Sequence, residues 1–234
     1  MRMDALMSLQ AIANFLPSKS GFQFPNCFPA VPLLTLRVPF CGHIGLGNAA
    51  GGLCGGMVYA VCDYYENSVV PDLRADPPLP PHPLYRYLAK RLIQSFGIPW
   101  GILKYYLWMV LPDNNYRLLK SIQQRSYENE WPKVRGLIDS GRPATLGLVI
   151  PHSWKPASLK LNHQVLAYGY EIPSPKEIVL HIYDPNQPGD DTVRLTIMLR
   201  ESGSPVITYS HHFRIRAFFC TPYRRNSASL LPFT

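Results

Sequence analysis

Apolar positions up to residue 140 recur at helical spacing. After Cys54, apolar side chains return at Met57, Val58, Val61 and Tyr65, three to four residues apart. This pattern predicts an amphipathic helix that starts at the cysteine. Similar stretches predict further helices at 84–96, 100–110, 116–125 and 131–140.

After Gly141 the pattern changes to short runs rich in β-branched and aromatic residues, separated by Pro, Gly, Asn and Asp. Such runs are typical of β-strands. They predict strands at 144–150, 163–170, 177–183, 193–199, 206–209 and 213–219, in addition to an early strand at 33–38. Helices first and strands afterwards indicate an α+β protein with segregated lobes.

This order divides the chain into three parts. We expect an N-terminal arm with the first strand at 1–40, a helical lobe with the Cys54 helix at 41–140, and a β lobe at 141–234. Many of the 24 prolines stand in the connections 24–32 and 77–81. These connections should therefore be long but stiff.

Composition favours a globular protein, since 47% of the 234 residues are hydrophobic and 16% are charged. The net charge of +8 is scattered, and no basic run exceeds two residues. Because no nucleic-acid-reading motif accompanies the charge, we expect no nucleic-acid partner. The apolar run 98–111 contains Lys104 and is too short to span a bilayer, so no transmembrane segment is predicted.

The number and spacing of the cysteines help to indicate the cellular compartment of the protein. The five cysteines, at 27, 41, 54, 62 and 220, are odd in number and irregularly spaced, which argues against a disulfide scaffold. Residues 1–17 lack the sustained apolar core of a signal peptide. Both observations favour a cytoplasmic location.

Cys54 has the surroundings of a reactive thiol. The start of a helix favours a thiolate, which is the nucleophilic form of cysteine. Glycines at 51, 52, 55 and 56 surround it and are expected to leave room for the backbone of a substrate.

A base for Cys54 is expected at His163, which opens the predicted strand 163–170, and a third group at Asp184, which follows the strand 177–183. If the two strands pair as an antiparallel hairpin, the start of the first lies beside the end of the second. The pattern therefore predicts a Cys-His-Asp triad, with the aspartate orienting the imidazole.

This order of residues resembles the papain-like cysteine peptidases: a cysteine at a helix start, a histidine opening a strand that ends in Gly-Tyr, and an aspartate followed by proline. Within them it is most similar to the double-glycine peptidase-like branch. The resemblance covers 47–65 and 131–184. It implies a two-lobed fold with an N-terminal helical lobe and a C-terminal antiparallel β lobe. It also implies hydrolysis of peptide or amide bonds in a peptide or protein substrate without a cofactor.

The resemblance also suggests a role for Asn48. In this superfamily a glutamine six residues before the nucleophile commonly helps to form the oxyanion hole, and Asn48 occupies that position here. It keeps the amide donor on a shorter side chain. The Cys-Gly-Ser-Cys-Trp signature of papain is replaced by Cys-Gly-Gly-Met. An inactive or non-proteolytic papain-like domain, such as a binding module, an amidase or an acyltransferase, is therefore the alternative function.

Two other classes are less well supported by the sequence. The segment 45–50 is a loose Gly-x-Gly-x-x-Ala nucleotide-binding pattern, but the β-α-β alternation expected after it is missing. A zinc site from Cys41, His43, Cys54 and Cys62 would lack a paired Cys-x-x-Cys knuckle.

Overall fold

Most helices lie between residues 54 and 139, and most strands follow them. The computed structural model describes residues 9–31, 34–38, 42–46, 48–116, 119–210 and 214–232. Its α-helices are α1 (Pro17–Ser20), α2 (Cys54–Glu66), α3 (Pro83–Ser95), α4 (Trp100–Val110), α5 (Ile122–Arg125) and α6 (Trp131–Asp139). Short 3₁₀ segments lie at Ala49–Gly51, Pro156–Leu161 and Ala228–Leu230, and a π-helical turn at Ser126–Glu130 joins α5 to α6.

The strands form one large antiparallel sheet and one hairpin. They are β1 (Gln10–Ala11), β2 (Leu34–Val38), β3 (Gly42–Leu46), β4 (Ala144–Val149), β5 (His163–Ser174), β6 (Glu177–Tyr183), β7 (Arg194–Met198), β8 (Val206–Tyr209) and β9 (Ala217–Cys220). The sheet order is β8-β7-β6-β5-β4-β9, with β1 also on β5, while β2 and β3 pair separately. The chain is thus a mixed α and β protein with an antiparallel sheet.

Most of the predicted elements are present, several with the expected bounds. Helix α4 and strands β6 and β8 begin and end at the predicted residues, and β5 runs four residues further than expected. The helix predicted at 116–125 is reduced to α5. Asn115 accepts a hydrogen bond from the Ser121 N–H at 2.7 Å, and Ser121 Oγ accepts one from the Gln124 N–H at 3.1 Å. Ser121 therefore acts as an N-cap, and the helix begins only after it.

The last strand also differs from the prediction at 213–219. Residues 211–213 lie outside the described part, and β9 starts at Ala217. The preceding Arg216 directs its guanidinium to Asp113 at 2.7 Å and to the Leu111 carbonyl at 2.7 Å. This side chain ties the segment before β9 to the end of α4.

A continuous apolar core joins the helices to the sheet. Helix α2, buried along nearly its whole length, contributes to the same cluster of buried side chains as α3, α6 and strands β4 to β8. Gly56 makes the contact with α3 possible, because a Cβ there would collide with the Leu88 carbonyl oxygen. Cys54 is thereby fixed between the helices and strand β5.

Two observations concern the dinucleotide-binding and membrane-spanning classes of protein. All strand pairs in the described residues are antiparallel, so the described part contains no parallel β-α-β unit for a dinucleotide. Among the described helices, none has both the length and the apolar character required to cross a membrane.

A buried ion pair anchors the C-terminal tail. Asp63 on α2 and Arg91 on α3 are 0% and 2% exposed, with Arg91 Nη2 3.0 Å from Asp63 Oδ1. The Tyr87 hydroxyl, the Tyr223 hydroxyl and the Asn226 N–H also donate to Asp63, at 2.7, 2.9 and 2.8 Å. Both carboxylate oxygens of Asp63 therefore accept hydrogen bonds, and the pair holds residues 223–226 against both helices.

Breaking this pair from one side should strongly destabilise the protein. We expect Asp63→Ala to lower the free energy of unfolding by about 3–5 kcal/mol, because it leaves the Arg91 guanidinium buried without a counter-ion. The double variant Asp63→Leu/Arg91→Met should lose less than Asp63→Ala alone. Urea unfolding followed by circular dichroism measures both.

The exposed pair Lys176–Glu201 is the matched control, with side chains 58% and 86% exposed. Lys176→Ala should change the unfolding free energy by no more than about 1 kcal/mol. Equal losses for Asp63→Ala and Lys176→Ala would show that the buried pair does not have this role.

Candidate active site

Cys54 is the first residue of α2 and is half-buried. The loop before it is held by Asn26, whose Oδ1 accepts the Leu53 N–H at 2.5 Å. Gly52 has φ of +83°, a conformation that favours glycine, and its Cα faces the Asn26 side chain. This loop geometry sets where the first turn of α2 begins.

The four glycines around Cys54 differ in their surroundings. Gly51 has open space at its Cα, whereas Gly55 lies against Ser95 and Gln164, and Gly56 lies against α3. The expectation that all four leave room for a substrate is therefore wrong for Gly55 and Gly56. These two glycines instead allow α3 and β5 to approach the nucleophile helix closely.

His163 and Asp184 meet as the hairpin geometry requires. Strands β5 and β6 are antiparallel, with Leu166 opposite Tyr183, so the first residue of β5 lies beside the residue that follows β6. His163 Nε2 is 2.7 Å from Asp184 Oδ1, and the two residues are 6% and 0% exposed. The contact expected between these two residues is present.

The Asp184 carboxylate has three donors. Besides His163, it accepts the Tyr209 hydroxyl on Oδ2 at 2.6 Å and the Asn186 N–H on Oδ1 at 2.8 Å. Burial by itself would raise the pKa of Asp184, but the charge of His163 and these hydrogen bonds lower it below its ordinary value. Asp184 is therefore an ionised, fixed group that holds the imidazole in one orientation.

The Cys54 thiol is hydrogen-bonded to the His163 ring. Since Nε2 is bound to Asp184, Nδ1 is the ring nitrogen that faces the sulfur. Burial opposes charge on both groups. The charges of Asp184 and Cys54 nevertheless raise the pKa of His163 to about 10, and His163 together with the N–H groups of Gln164 and Gly55 lowers the pKa of Cys54. The pair is thus arranged as a thiolate facing an imidazolium.

Asn48 and Cys54 line the same cavity. It is exposed, and its Oδ1 accepts the Ala50 N–H at 2.8 Å, which caps the turn Ala49–Gly51. This bond fixes the orientation of the carboxamide and leaves Nδ2 as its donor. All four residues proposed from the sequence, Asn48, Cys54, His163 and Asp184, therefore lie in one region.

Three further residues support the site and were not found from the sequence. Tyr209 on β8 binds Asp184, and Gln164 donates its N–H to the Cys54 sulfur. Asn26 joins the two halves of the site, because its Nδ2 also donates to Asn186 Oδ1 at 3.0 Å and its N–H donates to the Pro185 carbonyl at 3.0 Å. Gln164 directly follows His163, whereas no sequence spacing links Asn26 or Tyr209 to the triad.

The other described cysteines lack this environment. Burial raises the pKa of the Cys62 thiol well above its ordinary value and that of Cys220 to about 12, while Cys27 is exposed. Cys41 of the zinc hypothesis lies outside the described residues. Within the described ranges, no three His, Cys, Asp or Glu side chains come together as a metal site.

Comparisons with known proteins do not assign this chain to a family. No protein-family model, no curated protein and no solved structure matches this chain.

Proposed function

We propose that the protein is a papain-like thiol hydrolase that cleaves peptide or amide bonds with a Cys54-His163-Asp184 triad. The observation that carries the proposal is the position of the His163 imidazole, hydrogen-bonded to the Cys54 sulfur and 2.7 Å from the Asp184 carboxylate. A nucleophile, a base and a group that orients the base are the constellation of nucleophilic catalysis. The papain-like fold is supported by Cys54 at the start of a helix, His163 at the start of an antiparallel strand and Asp184 directly after the neighbouring strand.

In the acylation step, the Cys54 thiolate attacks the carbonyl carbon of the scissile amide. The C–N bond breaks, and His163 gives its Nδ1 proton to the leaving amine. Cys54 then carries the acyl group as a thioester, and His163 is neutral. Asp184 keeps the ring in place through both steps.

In the deacylation step, His163 takes a proton from a water molecule that attacks the thioester carbonyl. The C–S bond breaks, the carboxylic acid leaves, and the thiolate-imidazolium pair is restored. If an amine or alcohol replaced water here, the same site would act as an acyltransferase.

The developing oxyanion needs hydrogen-bond donors. The backbone N–H groups in the first turn of a helix have no intrahelical partner, and Cys54 is the first residue of α2. We assign the second donor to the Asn48 Nδ2 group, because Asn48 lines the same cavity as Cys54. Donors fixed in place before the reaction stabilise the transition state without reorganisation.

The ionisation of Cys54 provides a direct test. With limiting iodoacetamide at about pH 6, Cys54 should be alkylated before the exposed Cys27, because the lowered pKa of Cys54 favours its reactive thiolate. Peptide mass spectrometry measures the order. The excess of Cys54 labelling over Cys27 labelling should shrink as the pH rises, because the advantage of a lowered pKa is lost where thiols in general become ionised.

His163→Ala is the matched variant for this test. It removes the counter-charge, so the preference for Cys54 at pH 6 should disappear. Selective labelling combined with no hydrolysis of any peptide would indicate the non-proteolytic alternative. Equal rates at Cys54 and Cys27 in the native protein would contradict the catalytic pair itself.

Substitution of Asn48 tests the oxyanion site. Asn48→Asp keeps the oxygen that caps the turn Ala49–Gly51 but removes the Nδ2 donor. We expect kcat on a peptidyl-coumarin amide to fall by about 10²–10³-fold, the usual cost of losing one oxyanion donor.

The melting temperature should stay close to that of the wild-type protein, because the cap is retained. Asn48→Ala, which loses both donor and cap, should show the same loss of kcat with some loss of stability. Unchanged kcat in Asn48→Asp would remove Asn48 from the mechanism.

A further inference from the structure

A cavity of about 310 Å³ opens beside Cys54. Its walls are mainly apolar, formed by Leu92, Phe96, Ile102, Tyr105 and Leu159. Small-molecule sites typically measure about 300–1,000 Å³ and combine apolar walls with a few polar groups. The cavity therefore has the size and character of a binding site for part of a substrate.

The apolar walls come mainly from the segment without a counterpart in the resemblance. Leu92 and Phe96 lie on or just after α3, and Ile102 and Tyr105 lie on α4, all within the insert 67–130. The insert packs against α2 and β4, and so brings its side chains to the nucleophile. It thus completes one side of the active site.

Two buried polar groups meet at the cavity. Gln164 is 4% exposed and Tyr105 is 7% exposed, and the Gln164 side chain lies close enough to the Tyr105 hydroxyl to act on its pKa. Neither Gln164 Oε1 nor the Tyr105 hydroxyl, however, has a hydrogen bond of ordinary geometry with a described residue. Buried polar atoms without a well-formed hydrogen bond cost free energy. A substrate amide bound beside them would offer Gln164 Oε1 a donor.

The charge of the cavity is one-sided. Among the described residues that line it, none is a carboxylate, and Lys160 is an exposed cation. An apolar group can enter without losing an ionic partner. A cationic side chain would meet the Lys160 ammonium without a carboxylate in the lining to pair with.

We propose that this cavity binds a bulky, uncharged side chain of the substrate next to the scissile carbonyl, with the adjoining amide hydrogen-bonded to Gln164. The inference rests on the proposed function, and it assigns the insert 67–130 to substrate selection. An apolar cavity of about 150 Å³ already holds benzene, so 310 Å³ accommodates a side chain of the size of leucine or phenylalanine. The substrate class is therefore a peptide or amide with a large apolar residue at the cleavage site.

Covalent labelling of Cys54 tests the cavity without requiring turnover. The probes are N-benzyl-, N-methyl- and N-(4-aminobutyl)-chloroacetamide, with each rate divided by the rate of the same probe with glutathione. We expect the benzyl probe to label Cys54 at least about 10-fold faster than the methyl probe, as apolar pockets discriminate by about 10–200-fold. The aminobutyl probe should be the slowest.

Two substitutions at adjacent positions of α4, one inside and one outside the cavity lining, give a matched comparison. Ile102→Trp fills the cavity and should reduce the benzyl-to-methyl ratio to about 1–3, because the apolar group then loses its pocket. Leu103→Trp, at a 43% exposed position outside the cavity lining, should leave the ratio unchanged. Leu159→Trp, from the turn Pro156–Leu161, repeats the test if Ile102→Trp does not fold.

Lys160→Glu tests the charge selectivity. It should accelerate labelling by the aminobutyl probe relative to the methyl probe, because the carboxylate attracts the ammonium group that Lys160 repels. A wild-type ratio near 1, or an equal ratio in wild type and in folded Ile102→Trp, would overturn the proposal. If the proposed hydrolase function itself is wrong, the result is different: Cys54 and Cys27 should then react with iodoacetamide at equal rates.

Discussion

The candidate active site depends on one buried carboxylate. Asp184 is fully buried, and its oxygens accept hydrogen bonds from His163, Tyr209 and Asn186. An ionised carboxylate is stable inside a protein only when such partners compensate for lost hydration. Because Asp184 keeps its charge, the His163 ring keeps its proton, and the imidazolium in turn favours the thiolate of Cys54. The charge of Asp184 thus favours ionisation of Cys54 indirectly, through the His163 ring.

Hydrogen bonds between distant segments hold Cys54, His163 and Asp184 at fixed positions relative to one another. Cys54 comes from a helix and Asp184 from a turn after β6, and Asn26 hydrogen-bonds to both the loop before the cysteine and the turn at 185–186. Gly56 allows α2 to lie against α3 without a side chain between them. A shift of the helix relative to the sheet would therefore break hydrogen bonds and create a collision, which makes the position of the sulfur well defined.

Local patterns account for the parts that the sequence predicted well. The amphipathic spacing after Cys54 indicated α2, and the pairing of two strands as a hairpin brought His163 to Asp184, because antiparallel neighbours are linked by a short connection. The missed parts depend on contacts between distant segments. Asn26 lies 160 residues before Asn186, and Tyr209 lies 25 residues after Asp184, with no periodicity that relates them. The helix predicted at 116–125 is longer than the observed α5, because the N-cap at Ser121 makes the helix begin later than the apolar periodicity indicates.

The proposed catalysis and the proposed substrate selection draw on different parts of the chain. The candidate triad lies on α2, β5 and the turn after β6, which all belong to the segments that resemble papain-like peptidases. The cavity beside Cys54 takes Leu92, Phe96 and Ile102 from the insert, and these apolar side chains are not members of the candidate triad. Changes in α3 and α4 can therefore alter the shape of the cavity while the His163–Asp184 contact stays intact. Gln164 connects the two proposed functions, because its N–H acts on the Cys54 sulfur while the residue lines the cavity. Under this proposal, a substrate that fills the cavity is held against β5, the strand that carries His163.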